Sequence, residues 1–235
     1  MQIEVNKSSN FSKKTRSKRN IRFLVIHYTG MQSARVSIKR LKNPRSKVSC
    51  HYFIMRSGIV QRMVNDDRVA WHAGKSKWRN IINLNNHSLG IEIQNKGHYL
   101  GYQNFTKKQI FSTIKLIKIL MKKYNIQKKN VLGHSDIAPL RKLDPGEKFP
   151  WKTLSSKGAA IWYPNFRKKK YNIDSKLKRK IFFKNIYKIG YRFFNLSKHS
   201  KKDRIIIKAF QRRFLPKEID GKITDKTLKI SQLLT

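Results

Sequence analysis

Two histidines and one aspartate have the residue types and positions expected of a metal site. His27 follows the apolar run 21–26, His134 follows Gly133 after a second short apolar run, and Asp144 comes ten residues later. Two imidazoles and one carboxylate make three protein ligands, which leave zinc a fourth position for water, as catalytic sites require. Spacing alone does not show that the side chains converge. The trio therefore predicts a candidate site for one Zn²⁺ per chain.

Two further residues could act beside this site. Glu92 lies within the apolar segment 89–93, and a carboxylate is costly to bury unless it is paired, solvated or functional. A role as general base would explain its position, whereas a solvent-facing side chain on an alternating strand is the alternative. Lys142 precedes Asp144 by two residues, so in an extended chain both side chains point the same way and the ammonium could stabilise an oxyanion.

Buried strands are needed to bring these side chains together. The β-branched run 21–26 predicts a strand that delivers His27 at its carboxyl end, where sites often form. Further strands are predicted at 88–93 and 131–132, a hairpin at 51–60, and helices at 33–41 and 106–123. Strands that alternate with helices predict an α/β fold with a mixed central β-sheet flanked by helices.

The composition predicts four segments along the chain. They are a basic N-terminal segment (1–20), a catalytic domain (21–164), a charged linker (165–175) and a small three-helix domain (176–235). The three helices of the last segment are predicted at 176–189, 202–214 and 224–234, the third with Thr224 as its cap.

Six short motifs follow one another between residues 20 and 164. They are VIHYT at 25–29, SCHY at 49–52, AWHAG at 70–74, SLGIE at 88–92, GHSDIAP at 133–139 and RKLDPG at 141–146. Their order and spacing resemble the zinc-dependent N-acetylmuramoyl-L-alanine amidases of the type 2 family, in particular the AmiD branch. The segment AFQRRF at 209–214, followed by Asp220, Gly221 and Thr224, is similar to the helical peptidoglycan-binding domain that such enzymes carry.

The resemblance implies a role for each residue of the candidate site. Zinc would be held by His27, His134 and Asp144, with Glu92 activating water and Lys142 stabilising the tetrahedral intermediate. The implied reaction hydrolyses the amide bond between N-acetylmuramic acid, or its 1,6-anhydro form, and L-alanine of the peptidoglycan stem peptide. Some relatives place a tyrosine base where this chain has Cys50, and others use cysteine as the third ligand. Both departures favour the assignment of Glu92 and Asp144.

A further set of residues is expected to line the substrate groove or support the site. His51 and His72, which belong to the motifs, are assigned structural or substrate-lining roles, and the expected groove residues are Trp71, Trp78, Asn86 and Arg141.

The charge of the chain suggests rival functions. Against 55 Lys and Arg stand 12 Asp and Glu, for a net charge of +43 that would attract anionic partners. A specific nucleic-acid partner is not expected, because the sequence has no zinc-finger spacing or stacking strand. A non-catalytic peptidoglycan-recognition protein is the alternative, although binding-only relatives typically lose a ligand and the trio here is complete. The predicted partner is peptidoglycan or a soluble muropeptide.

The expected compartment follows from two opposing features. A wall-binding domain favours an extracytoplasmic site in the bacterial cell envelope, whereas residues 1–20 lack the apolar stretch of a secretory signal, which favours the cytoplasm. No apolar run reaches the roughly 18–20 residues that cross a bilayer. We expect the cell envelope, with the cytoplasm as the alternative.

Overall fold

A computed structural model describes residues 1–167 and 170–235 as a β-sheet with helices on both faces. The strands are β1 (Glu4–Val5), β2 (Phe11–Thr15), β3 (Phe23–Tyr28), β4 (Tyr52–Ile54), β5 (Val60–Arg62), β6 (Arg68–Ala70), β7 (Lys77–Trp78), β8 (Ile81–Ile82), β9 (Ser88–Ile93) and β10 (Val131–Gly133). The α-helices are α1 (Ala34–Lys42), α2 (Lys107–Tyr124), α3 (His134–Ile137), α4 (Trp151–Ser156), α5 (Ser175–Ile189), α6 (Lys202–Phe214) and α7 (Asp225–Leu233).

The central sheet is mixed, as predicted. Its strand order is β1-β5-β4-β9-β3-β10, and each neighbouring pair is parallel except the antiparallel pair β4 and β5. Strand β3 pairs with β9 from Phe23 opposite Ser88 to Tyr28 opposite Ile93. Because β3, β9 and β10 are parallel, their carboxyl ends meet at one edge of the sheet.

Alternate residues of β3 face two separate halves of the core, as the period of two in a strand requires. Leu24 and Ile26 pack in the cluster that contains Leu116 and Leu120 of α2. That helix begins at a capping box, in which Thr106 and Gln109 satisfy each other's backbone N–H groups. The opposite face of the sheet is left for the C-terminal helices.

The C-terminal helices cover that second face. Phe23 and Val25 of β3 share one apolar cluster with Phe182 of α5 and Phe210 of α6, so sheet and helices form a continuous core. Helices α5, α6 and α7 confirm the predicted helical region within a residue or two at each end. The predicted linker, 165–175, includes residues 168 and 169, which lie outside the described part of the chain.

The basic N-terminal segment contributes two strands that the sequence did not predict. Strand β1 extends the central sheet beside β5, and β2 pairs antiparallel with β6. Both strands are short and carry little apolar patterning, which is the main signal for a strand in sequence. Arg16, which follows β2, is buried and donates hydrogen bonds to the backbone carbonyls of Asp66, Asn85 and Ser88.

Candidate active site

The structure brings His27, His134 and Asp144 together at the carboxyl edge of the sheet. His27 lies near the end of β3, His134 begins α3 directly after β10, and Asp144 lies in the loop after α3. Nδ1 of His27 is 2.9 Å from Nδ1 of His134, and Oδ2 of Asp144 is 3.0 Å from each of these nitrogens. All three side chains are buried. The three donor atoms therefore point at one another as a group that could hold a metal ion.

The donor set fits a divalent metal ion. Ligand atoms around a tetrahedral zinc, each about 2.0–2.1 Å from the ion, are separated by roughly 3.3 Å, close to the separations found here. Burial lowers the pKa of His27 to about 4, so this imidazole is neutral and has a free lone pair near pH 7. Burial alone would raise the pKa of Asp144, but His134 and His27 outweigh it and hold the pKa below its usual range. Neutral imidazoles and an ionised carboxylate are the forms that bind metal.

A backbone carbonyl orients the imidazole of His134. Its Nε2 lies 3.1 Å from the oxygen of Ala73, which can only accept, so Nε2 carries the proton and Nδ1 keeps its lone pair. Arg141 donates from Nη2 to the same oxygen, and from Nε to the carbonyl of Lys75 at 3.0 Å. The segment that holds Ala73 thus connects a predicted ligand with a predicted substrate residue.

A chain of hydrogen bonds fixes the tautomer of His27. The Ser88 hydroxyl donates to the Leu84 carbonyl at 2.5 Å, so its oxygen is free to accept from Nε2 of His72 at 3.3 Å. Nδ1 of His72 then accepts from Nε2 of His27 at 3.1 Å. In each of these hydrogen bonds the donor lies on the side nearer His27, so Nε2 of His27 carries the proton. The lone pair is left on Nδ1 of His27, the atom that faces Asp144. Such outer partners set ligand orientation in metal sites.

Gly90 in β9 makes room for this chain of hydrogen bonds. A Cβ atom at Gly90 would lie 2.4 Å from Cγ of His72, far inside van der Waals contact. The backbone N–H of Gly90 also donates to Nδ1 of His51 at 2.9 Å. The glycine of the SLGIE motif is therefore required by the close approach of the His72 ring.

Glu92 is aligned with His27 in the pairing of β9 with β3. Its side chain is partly buried, and Oε2 is shielded from solvent without a hydrogen-bond partner in the described residues. Burial and the charge of Asp144 raise the pKa of Glu92, whereas Lys142 acts to lower it. An unpartnered carboxylate oxygen beside the donor trio can accept and hold a proton.

The remaining predicted residues fall into different places. Trp71 is half-buried, and Arg141 is exposed beside His134. His51 and His72 are buried, and the His72 ring lies edge-on to the rings of both His27 and His51.

Two predicted groove residues require correction. Trp78 is only 2% exposed and packs edge-on against Tyr191, with ring centroids 4.9 Å apart, so it belongs to the core between sheet and C-terminal helices. Asn86 is exposed in the turn that precedes β9, at the opposite end of that strand from Glu92.

Sequence reasoning missed two residues that hold the site together. Oδ1 of Asn85 accepts the backbone N–H groups of His72 at 3.1 Å and Ala73 at 2.7 Å, so this residue, and not Asn86, fixes the AWHAG segment. Asp136, two residues after His134, accepts hydrogen bonds from the C-terminal helical region. One signal was present for Asp136, because the chain has only 12 acidic residues and this one stands between two ligands.

The family of the chain follows from its sequence match. The profile of the N-acetylmuramoyl-L-alanine amidase family matches residues 17–147, more than half of the chain, and includes the trio and Glu92. The chain belongs to this amidase family. Among its relatives, Escherichia coli AmiD is 30% identical over 231 residues, which cover 91% of this chain and 82% of AmiD. Haemophilus influenzae AmpD is 39% identical over 111 residues, which cover 47% of this chain and 58% of AmpD.

Solved amidase structures share the architecture. E. coli AmiD in complex with the substrate anhydro-N-acetylmuramic acid-L-Ala-D-γ-Glu-L-Lys matches with a TM-score of 0.81 and 30% identity, covering 92% of this chain and 88% of that one. Pseudomonas aeruginosa AmpDh3 in complex with anhydromuramic pentapeptide gives 0.80 and 28% identity, covering 96% and 95%. The resemblance to the AmiD branch of the amidase family and the predicted mixed sheet are both confirmed. The chain is an amidase of the type 2 family.

Proposed function

We propose that this amidase hydrolyses the amide bond between N-acetylmuramic acid and L-alanine of the peptidoglycan stem peptide, with one zinc ion held by His27, His134 and Asp144. The observation that carries the proposal is the convergence of these three donors beside the unpartnered carboxylate of Glu92. AmiD and AmpDh3 were solved with anhydromuramic peptides, which supports the 1,6-anhydro sugar as a second accepted form.

Different residues of the chain transfer the proton and stabilise the developing charge. Zinc, when bound, lowers the pKa of a water molecule and polarises the scissile carbonyl. Glu92 accepts the proton of the attacking water on Oε2 and returns it to the departing amine of L-alanine. Its raised pKa suits this task, because the carboxyl group must hold the proton between the two transfers. The Lys142 ammonium stabilises the negative charge that develops on the carbonyl oxygen.

The alternative is a protein that recognises peptidoglycan without cutting it. A binding-only site needs neither a complete ligand trio nor a general base. Here three donor atoms lie 2.9–3.0 Å from one another, and Glu92 is aligned with His27 in the neighbouring strand. These features support catalysis.

The organisation of the chain supports a wall or muropeptide substrate. We propose residues 21–164 as the catalytic domain, 176–235 as a peptidoglycan-binding domain, 165–175 as their linker and 1–20 as the N-terminal segment. Trp71, which is half-buried, and Arg141, which is exposed beside His134, remain the proposed substrate contacts. A peptidoglycan substrate favours the cell envelope over the cytoplasm. None of the helices in 1–167 and 170–235 has the length and apolarity to cross a bilayer.

Product analysis tests this function directly. The enzyme is incubated with intact sacculi and, separately, with soluble anhydro-muropeptides, and the products are identified by mass spectrometry. We expect free stem peptides that begin with L-alanine, loss of the reaction on addition of a zinc chelator, and recovery on addition of Zn²⁺. Products cut at another bond, or turnover insensitive to the chelator, would contradict the proposal. The ratio of the two substrates' turnover shows which one the enzyme prefers.

A further inference from the structure

The C-terminal helical region contacts the segment 133–144, which carries two of the three proposed ligands. Asp136 lies two residues after His134 and is 1% exposed. Its Oδ1 accepts the hydroxyl of Tyr191 at 2.6 Å, and its Oδ2 accepts Nη1 of Arg213. Arg213 is itself 3% exposed, so this is a buried ion pair between the amidase region and α6.

Asp136 also contacts the backbone next to His134. Its Oδ2 also accepts the backbone N–H of Gly133 at 2.8 Å, which ties the end of β10 to α3, the helix that begins with His134. The backbone N–H of Ser135, the residue after His134, donates to the carbonyl of Asp144 at 2.8 Å. The carboxylate of Asp136 thus binds the backbone of the residue before His134, and the residue after His134 binds the backbone of Asp144.

Helix α6 holds this junction from more than one side. Nη2 of Arg213 donates to the carbonyl of Val131 in β10 at 3.1 Å, and its guanidinium lies 4.1 Å from the ring centroid of Trp151 in α4. Nε of the preceding Arg212 is 3.8 Å from Oε2 of Glu147, three residues beyond Asp144. The end of α6 therefore contacts β10, the strand before His134, and Glu147, which follows Asp144 by three residues.

A buried ion pair by itself usually adds little to the free energy of unfolding. Desolvation of both charges offsets most of their attraction, and well-packed apolar residues of similar volume are often as stable or more so. The ion pair does fix the orientation of its partners, because a planar guanidinium with several fixed N–H groups can be satisfied by few arrangements of hydrogen-bond acceptors. Arg213 uses two of these groups on Asp136 and Val131 and stacks its face on Trp151.

We propose that Arg213 and Tyr191 are positioning residues of the metal centre, which act through Asp136 to set the orientation of His134 and Asp144. The C-terminal region is then part of the amidase site as well as a proposed wall-binding attachment. This inference rests on the proposed zinc function. It predicts that changes more than 45 residues beyond the last ligand in sequence alter the geometry of metal binding.

The test compares full-length variants that remove the contact with one that removes a similar contact elsewhere. Arg213→Met and Tyr191→Phe remove the partners of Asp136. The matched control is Arg179→Met, which breaks the partly buried ion pair of Arg179 with Asp203 within the helical region, at an Nε to Oδ2 distance of 2.7 Å. Zinc affinity is measured by chelator competition, the coordination geometry by the visible spectrum of the Co²⁺-substituted protein, and stability by thermal unfolding.

We expect Arg213→Met to weaken zinc binding about 10–100-fold and to change the Co²⁺ spectrum, as loss of an outer partner does in other metal sites. Tyr191→Phe should act in the same direction with a smaller change. Arg179→Met should lower the unfolding temperature while zinc affinity and spectrum stay as in the wild type. With soluble anhydro-muropeptide, the Arg213 and Tyr191 variants should lose kcat with little change in KM.

The outcomes separate this inference from the proposed function. Wild-type zinc affinity and Co²⁺ spectrum in a folded Arg213→Met protein would overturn the positioning role. Where Arg213→Met does not fold, Tyr191→Phe decides by the same measurements, since it removes a single hydroxyl. Equal effects of Arg179→Met on affinity and spectrum would reduce the role to general stability and also overturn it. A wild-type protein that binds no zinc would refute the proposed function itself.

Discussion

His27 and Glu92 are aligned partners in neighbouring parallel strands, β3 and β9. Aligned residues on adjacent strands project to the same face of a sheet. The imidazole of His27, a proposed ligand, and the proposed base are therefore placed side by side by the backbone register alone. A shift of one residue would turn Glu92 to the opposite face of the sheet, so the register of this pair is the feature on which the proposed mechanism depends.

Replacement of Glu92 by glutamine tests the base. Glu92→Gln keeps the shape of the side chain but cannot accept a proton, so we expect kcat to fall about 10²–10⁴-fold. Zinc content should stay at the wild-type value, because Glu92 is not among the three donors. The control is Glu218→Gln, which changes an exposed glutamate and should leave turnover intact. Near wild-type hydrolysis by Glu92→Gln would exclude Glu92 as the base.

Removal of a donor tests the metal centre. His134→Ala leaves two of the three donors, and we expect zinc measured by elemental analysis to fall from about one per chain to well below half, with loss of turnover. His199→Ala, which changes an exposed histidine, should retain the wild-type zinc content. Equal zinc in both variants would show that the metal is bound elsewhere.

The strands that carry the site could be predicted from the sequence because their composition is distinctive. The β-branched runs before His27 and around Glu92 indicated buried strands, and the bounds of β9 agree with the prediction. The trio of His27, His134 and Asp144 followed from residue types and positions, and the motifs assigned each residue a role. The parallel register of β3 and β9, which places Glu92 beside His27, is seen only in the structure.

Contacts between distant segments could not be predicted in this way. Trp78 lies near the AWHAG motif in sequence, but its burial depends on Tyr191, more than a hundred residues later. The pairing of Arg213 with Asp136 likewise has no periodic signal, because it joins two helices, α6 and α3, across 77 positions. Such contacts depend on how the helices pack against the sheet, which local patterns do not encode.

A thermodynamic cycle tests the close approach of Gly90 and His72. A protein with glycine inside a strand is ordinarily less stable than one with alanine there by about 0.5–1 kcal/mol. Gly90→Ala would therefore stabilise the protein if the space beside Gly90 were empty. Here the added methyl group overlaps the His72 ring, and we expect a loss of about 1–3 kcal/mol in the free energy of unfolding together with weaker zinc binding. In the His72→Ala background the same change should cost little or become favourable. An equal cost in both backgrounds would mean that the ring is not what excludes a side chain.

Asp66 provides a test of stability against pH at a distance from the trio. Oδ1 accepts the Tyr52 hydroxyl at 2.7 Å, and Oδ2 accepts Nζ of Lys123 at 2.8 Å and the Tyr124 hydroxyl at 2.5 Å. Burial alone would raise the pKa of Asp66, but the hydrogen bonds from Lys123, Tyr124 and Tyr52 outweigh it and lower the pKa. A group with a lowered folded-state pKa stabilises the fold above its unfolded value, about 3.9, and loses that contribution as pH falls through the folded value.

Asp66→Asn should therefore destabilise the protein in a pH-dependent manner. The amide cannot accept three donors as a carboxylate does, so we expect the free energy of unfolding at pH 7 to fall by about 1.5–3 kcal/mol. Chemical denaturation measures this difference, which should shrink as pH is lowered below about 4, where the wild-type carboxylate begins to lose its advantage. Asp67→Asn, at the exposed neighbouring position, should change stability by less than about 0.5 kcal/mol at either pH. A difference between Asp66→Asn and wild type that does not vary with pH would show that packing, and not the charge of Asp66, holds Tyr52, Lys123 and Tyr124 in place.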